Sequence, residues 1–240
     1  MNKRKFAQFV SAAAVFGMAS LTTVATVGAQ QHGTGLYDPE PPADAAYVRL
    51  IVVAADGPMD LLVDGKVRSA KLPSGEVSDY LVIPSGKHQI AIHPAGKPTA
   101  LLTYTLDTPK AKSLTLAFAS TKAGQSPTIF EDKGNTNKLK AVLAAYHLDQ
   151  KAGNLDILTS DGATKVFSGL VFGASNALQV NPINVELIAA KAGESSPALS
   201  SKTPLSLTQG ATYSMFLLPN AQGKLQVHTV QNKTERYTGK

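Results

Sequence analysis

Apolar and polar positions alternate with a period of two through much of the chain. Tyr47, Arg49, Ile51 and Val53 fall on one face of an extended segment, and Val48, Leu50, Val52 and Ala54 fall on the other. Shorter apolar runs follow at Tyr80–Val82, 102–106, 114–119 and 128–131. Between them come turn signals about every ten residues: Asp-Gly, Pro-Ser-Gly, Pro-Ala-Gly and Ala-Gly-Gln. Short strands at that spacing predict an all-β chain of sandwich type. One run also suits a helix. In NKLKAVLAAYHLDQ (137–150), Leu139, Val142, Leu143 and Tyr146 would share a helical face.

An internal repeat decides that ambiguity. Asp64-Gly65 and Asp161-Gly162 each end an apolar run, and they lie 97 residues apart. Gly96 and Gly193, each closing a strand-like run, are separated by the same 97 residues. KSLTLAFAS (112–120) and ATYSMFLLP (211–219) stand at matching places near the end of each copy. The 137–150 run fills the slot of YVRLIVVAA and is expected to be a strand. The expected organisation is two tandem β-sandwich domains, over 46–130 and 138–240, the second ending in a short tail. The polar stretch 131–137 reads as a linker and 30–45 as an extended Pro-rich lead-in. Domains of this size can each hold a core.

Residues 1–29 read as a cleaved export signal. Lys3, Arg4 and Lys5 precede an uncharged apolar stretch, and Val27-Gly28-Ala29 suits signal peptidase. A retained membrane anchor is the rival reading. Those 29 residues hold three bases and no acid, so the remaining chain carries +3 rather than the +6 of the whole. That balance is too slight for nucleic acid, but it favours encounter with an anionic polysaccharide or an acidic protein. Cysteine is absent, which excludes disulfides, thiolate metal sites and a lipid-modified N-terminal Cys.

Candidate chemistry is sparse. His32, His88, His93, His147 and His228 are scattered, and His88 and His93 would lie on opposite faces of one strand. Asp56, Asp60 and Asp64 flank turns rather than forming a dense calcium loop. Gly173-Ala174-Ser175-Asn176-Ala177 lacks the following helix that a nucleophile elbow needs. We expect no catalytic residue, no metal and no cofactor. Tryptophan is absent, which counts against sugar stacking. Tyr37, Tyr47, Tyr80, Tyr104 and Tyr146 could substitute in part, but most read as amphipathic residues at sheet edges. Asn232-Lys233-Thr234 is a formal glycosylation sequon with no further meaning assigned.

The stretch LYDPEPPADAAYVRL resembles the opening of the AlgF family of alginate O-acetylation proteins, with Leu36, Tyr37, Pro39, Pro41, Pro42, Tyr47, Val48 and Arg49 in the matching places. VNPINVEL (180–187) and LSLTQGATYSMFLL (205–218) resemble later family segments. The resemblance implies a periplasmic, non-catalytic adaptor in exopolysaccharide acetylation. Its partners would be a membrane O-acyltransferase and periplasmic acetyltransferases. It points to Tyr37, Pro39, Pro41, Pro42, Arg49, Asn181 and Pro182 as partner-binding candidates. A carbohydrate-binding module that holds the polymer near the enzymes is the alternative, and the polymer could be alginate or another glycan such as cellulose. The Pro-rich lead-in is either a stiff spacer or a docking segment anchored by Tyr37. Arg49 has two possible placements: paired inside the core of its own domain, or facing outward beside Asp38 and Glu40. The nearness of that acidic lead-in favours the outward placement.

Overall fold

A computed structural model describes residues 42–238 of the chain. The expected signal segment and Tyr37, Pro39 and Pro41 lie outside the described residues. In the first half the strands are β1 (Ala46–Ala54), β2 (Met59–Val63), β3 (Lys66–Leu72), β4 (Leu81–Ile83), β5 (Gly86–Pro94), β6 (Leu102–Thr108), β7 (Ser113–Ser120) and β8 (Thr128–Glu131). The second half contains β9 (Ala141–His147), β10 (Leu155–Thr159), β11 (Lys165–Leu170), β12 (Ser175–Val180), β13 (Ile183–Lys191), β14 (Thr203–Leu207), β15 (Thr212–Pro219) and β16 (Leu225–Gln231). A single 3-10 turn, Gln150–Ala152, is the sole helical element among the described residues.

The strands form four sheets of four, with orders β3-β2-β5-β6, β4-β1-β7-β8, β12-β9-β15-β16 and β11-β10-β13-β14. Each half therefore repeats the other, strand for strand. Even the parallel pairs recur: β1 with β7, from Tyr47 opposite Ser113, and β9 with β15, from Val142 opposite Thr212. The 137–150 run is the strand that the repeat expects. Leu139 sits in the turn before it and is 70% exposed, while every residue from Ala141 to His147 is buried.

Three apolar layers separate the four sheets. Val48, Leu50, Val52, Leu61, Ile90, Leu116 and Phe118 fill the first half's sandwich. Leu143, Leu155, Ile157, Leu187, Met215 and Leu217 fill the second. The third layer lies between β4-β1-β7-β8 and β12-β9-β15-β16, where Ile51, Ala117 and Phe130 meet Tyr146, Phe216 and Leu218. The two inner sheets are thus covered on both faces. This is why β1, β7, β9 and β15 read as nearly continuous apolar runs, whereas β6 alternates.

Local chemistry repeats with the topology. Asp64 and Gly65 both take positive φ, 51° and 76°, as a two-residue hairpin turn requires between β2 and β3. Asp60 then ties β3 to the turn after β5 by accepting from the backbone N–H of Lys71 and of Gly96, each at 2.8 Å. Asp156 does the same one copy later, accepting from Gly169 at 2.7 Å and Gly193 at 3.0 Å, with Lys165 Nζ at 2.7 Å. The N–H groups of Gly96 and Lys71 hold the Asp60 carboxyl below its ordinary value. Burial alone would raise Asp156, but the Lys165 ammonium and the two backbone donors outweigh it and lower that group as well.

The halves are also tied outside the apolar layer. Gly75 (φ +78°) brings a first-half loop onto β15, and a Cβ there would lie 3.1 Å from Leu218 Cδ1. After β16 the chain crosses back to the first half. Tyr80 N–H donates to Lys233 O, and Glu235 N–H donates to Tyr80 O, each at 2.8 Å. The Glu235 carboxylate accepts from Val82 N–H at 2.7 Å and from Arg68.

Two outcomes are expected. Because Ile51, Tyr146 and Phe216 pack in the apolar layer that the two halves share, thermal unfolding should be one transition with equal calorimetric and van't Hoff enthalpies. Two resolved transitions would contradict this. Both aspartates have folded pKa values below their unfolded value of about 3.9. Their stabilisation is complete above that value and is lost as pH falls through the folded value. Asp156→Asn should cost about 1–3 kcal/mol at pH 7 and flatten the decline in stability below pH ~4, measured by urea titration across pH.

Candidate functional site

The most polar buried place in the described residues lies inside the apolar layer between the halves. Arg49, in mid-β1, is 1% exposed. Its strand face, shared with Ile51 and Val53, points away from its own sandwich and into the second half. Arg49 Nε donates to Thr115 Oγ1 at 2.8 Å, and Nη1 donates to Asn232 Oδ1 at 2.9 Å. Nη2 donates to Ser214 Oγ at 2.8 Å and to Tyr146 Oη at 3.1 Å. The guanidinium carbon sits 4.5 Å from the centre of the Tyr80 ring, 5.3 Å from that of Phe216 and 5.5 Å from that of Tyr146. Desolvation of the cation is offset by these fixed acceptors and ring faces.

Asp132 supplies the counter-charge. Its Oδ2 lies 3.9 Å from Arg49 Nε and accepts from Thr115 Oγ1 at 2.6 Å and Tyr80 Oη at 2.8 Å. Its Oδ1 accepts from Tyr146 Oη at 2.6 Å. Burial pushes the Tyr80 and Tyr146 hydroxyls well above the usual phenol value, so both remain donors. For Tyr80 the Arg49 charge opposes that rise. For Tyr146 the Asp132 charge adds to it first. Ser214 Oγ donates to Asn232 Oδ1 at 2.8 Å and completes a closed network. Arg49 and Tyr146 are 97 residues apart, but the register sets Tyr47 level with Val142, so Arg49 corresponds to Ala144. The contact therefore joins non-equivalent positions of the two copies.

This placement corrects the outward expectation for Arg49. The face is covered, but by the other half rather than by the lead-in, and a partner cannot reach the side chain. Three other readings also change. Asp132, in the stretch read as a linker, is the buried carboxylate, its side chain 5% exposed. Tyr146 is at the centre of an inner sheet rather than at an edge, and Asn232 is an interface residue. The available signal was an Arg, a Thr and a Ser each standing inside an apolar strand run.

Pro42 is exposed and leads into β1. Asn181 and Pro182 form the exposed turn between β12 and β13. The register places Val180 opposite Ala141, so that turn lies at the end where β9 begins. At the same end a groove of about 660 Å³ opens between the halves, lined by residues from the starts of β1, β7 and β15 and from the 131–140 segment. Among the described residues the histidines do not converge, and His32 lies outside them. His88 pairs with Asp64, His93 with the Lys97 carbonyl, His147 with the Gly153 carbonyl, and His228 Nε2 lies 2.9 Å from Glu76 Oε2. No cluster of three His, Asp or Glu suited to a metal occurs among the described residues.

A family model described as alginate O-acetyl transferase AlgF matches residues 19–228, and the chain belongs to the AlgF family. Among solved structures, the C-terminal domain of AlgF from P. aeruginosa is 25% identical, covering 40% of this chain and all of that one, with a TM-score of 0.34. A family 26 carbohydrate-binding module from Eubacterium rectale, in complex with maltoheptaose, is 12% identical over 79% of this chain and 97% of that one (TM-score 0.30). A family 41 module from streptococcal virulence factors is 11% identical, covering 80% of this chain and 99% of that one (TM-score 0.28). A search of curated proteins gives no match.

Removing Arg49 strands Asp132 in the interface, so Arg49→Ala should cost roughly 3–5 kcal/mol in urea unfolding. Arg49→Lys should not restore it, because a lysine offers a point charge and not a planar fork. Tyr146→Phe, which deletes the hydroxyl shared by Arg49 and Asp132, should cost about 1–3 kcal/mol. A double-mutant cycle should show the two effects coupled by at least about 0.5 kcal/mol. Additive effects would exclude a common network.

Proposed function

We propose that the protein is a non-catalytic periplasmic adaptor in exopolysaccharide O-acetylation, joining a membrane O-acyltransferase to periplasmic acetyltransferases. Membership of the AlgF family is the observation that carries this reading. The chemistry of the buried cluster supports it. Arg49, Asp132, Tyr80 and Tyr146 are the polar groups that the fold gathers most closely, and each is engaged with the others. Tyrosines held protonated beside a fixed arginine make a clamp, with neither an activated nucleophile nor a base near neutrality. On this reading the signal segment directs export, and the exposed Pro42 and the Asn181-Pro182 turn belong to the contact surface, together with Tyr37, Pro39 and Pro41 ahead of β1.

Capture from detergent-solubilised membranes with the tagged, exported chain is the test. Recovery of the acyltransferase or an acetyltransferase is expected. Recovery of polymer alone would replace this reading with that of a carbohydrate-binding module. Purified protein should turn over 4-nitrophenyl acetate no faster than buffer. Turnover abolished by one Ser or His substitution would make it an enzyme.

A further inference from the structure

We propose that the groove between the halves is the docking site for an acidic polypeptide segment of a partner protein. This inference rests on the adaptor reading and names where one partner is held. The groove is lined by side chains left uncommitted by the fold. The ammonium groups of Lys133 and Lys138 are exposed and have no partner among the described residues. Asn232 uses its Oδ1 inward, on Arg49 and Ser214, which leaves its Nδ2 as an unused donor. The Gln231 amide, the Thr212 hydroxyl and the Tyr47 phenol also line the groove without partners.

Its one carboxylate, Asp132, is already saturated by Tyr80, Tyr146, Thr115 and Arg49. The nearby Glu131 is paired with Lys112. The lining thus presents two free cations and several free donors without a competing anion, which is the complement of a carboxylate-bearing ligand.

A polypeptide fits that chemistry better than a sugar chain. Pyranose rings stack on open aromatic faces, and the groove offers little of that kind. Tyr80 is only 7% exposed, with the Arg49 guanidinium over its ring. Tyr47, partly exposed, is the remaining ring of the lining. Charge complementarity then selects a segment rich in Asp or Glu.

The probe is a fluorescein-labelled dodecapeptide of alternating Glu and Ala, titrated by anisotropy against the exported chain at low ionic strength. Binding is expected, and Lys133→Glu/Lys138→Glu should weaken it about tenfold or more with the melting temperature unchanged. Lys97→Glu/Lys191→Glu, which alters exposed lysines outside the groove, should stay within about twofold. Absence of wild-type binding overturns the proposal, as does equal loss in both variants. An alginate oligosaccharide that binds where the peptide does not also overturns it, in favour of a sugar site. Membrane capture separates this from the wider reading. Wild-type capture that persists in Lys133→Glu/Lys138→Glu removes the groove and leaves the adaptor. Failure of wild-type capture removes the adaptor itself.

Discussion

A charged guanidinium buried between two β-sandwiches constrains everything around it. Arg49 cannot be solvated by its own half, because the acceptors on β1 and its neighbours supply only Thr115 and the more distant Asp132. Tyr146, Ser214 and Asn232 all come from the other half. An uncompensated charge there would cost several kcal/mol, so the halves are obliged to associate. The same requirement sets the path of the connecting segment, which must deliver Asp132 into the interface before turning into β9. It also fixes the end of β16, which must deliver Asn232 before the chain crosses to Tyr80 and Val82.

The two copies have diverged according to what each face must do. The outer sheets keep the ancestral devices: Asp60 with Lys71 and Gly96 in one copy, Asp156 with Gly169 and Gly193 in the other. The faces that meet differ between the copies. Arg49 stands where the second copy has Ala144, and Tyr146 where the first has Ile51, with the Tyr146 ring stacked on Phe216 at 4.8 Å between centroids. Low identity between the copies is what such asymmetric pairing produces.

The strand content, the turn rhythm and the duplication were legible because they depend on local periodicity and on spacing along the chain. The direction in which Arg49 points was not. Alternation shows which residues share a face, but it cannot show what covers that face, and the lead-in that favoured an outward placement was merely close in sequence. Residue 232 lies 183 positions from Arg49, beyond any local pattern. The polar composition of 131–137 suggests a connection between the copies, yet Asp132 within it answers a charge on another strand. A strand buried on both faces also erases the alternation that would reveal it. β9, buried throughout, was recognisable only by its slot in the repeat.

Interfaces between domains of one chain are commonly polar and permit relative motion. The interface here combines an apolar layer, a closed charge network and a returning C-terminal strand-like segment, and each resists sliding in a different way. With stacked sheets about 10 Å apart, four layers place the two outer sheets roughly 30 Å from one another. A body of that kind holds whatever binds its two outer faces at a set distance and angle, which a flexible tether between separate sandwiches would not do. The groove at the end where β1 and β15 begin inherits the same rigidity, because its walls come from both halves. Duplication followed by fusion across a charged seam thus yields fixed outer faces and an inter-half groove from one modest fold. On the adaptor reading, the Arg49 seam is what holds the contact surfaces of both halves in one fixed relation.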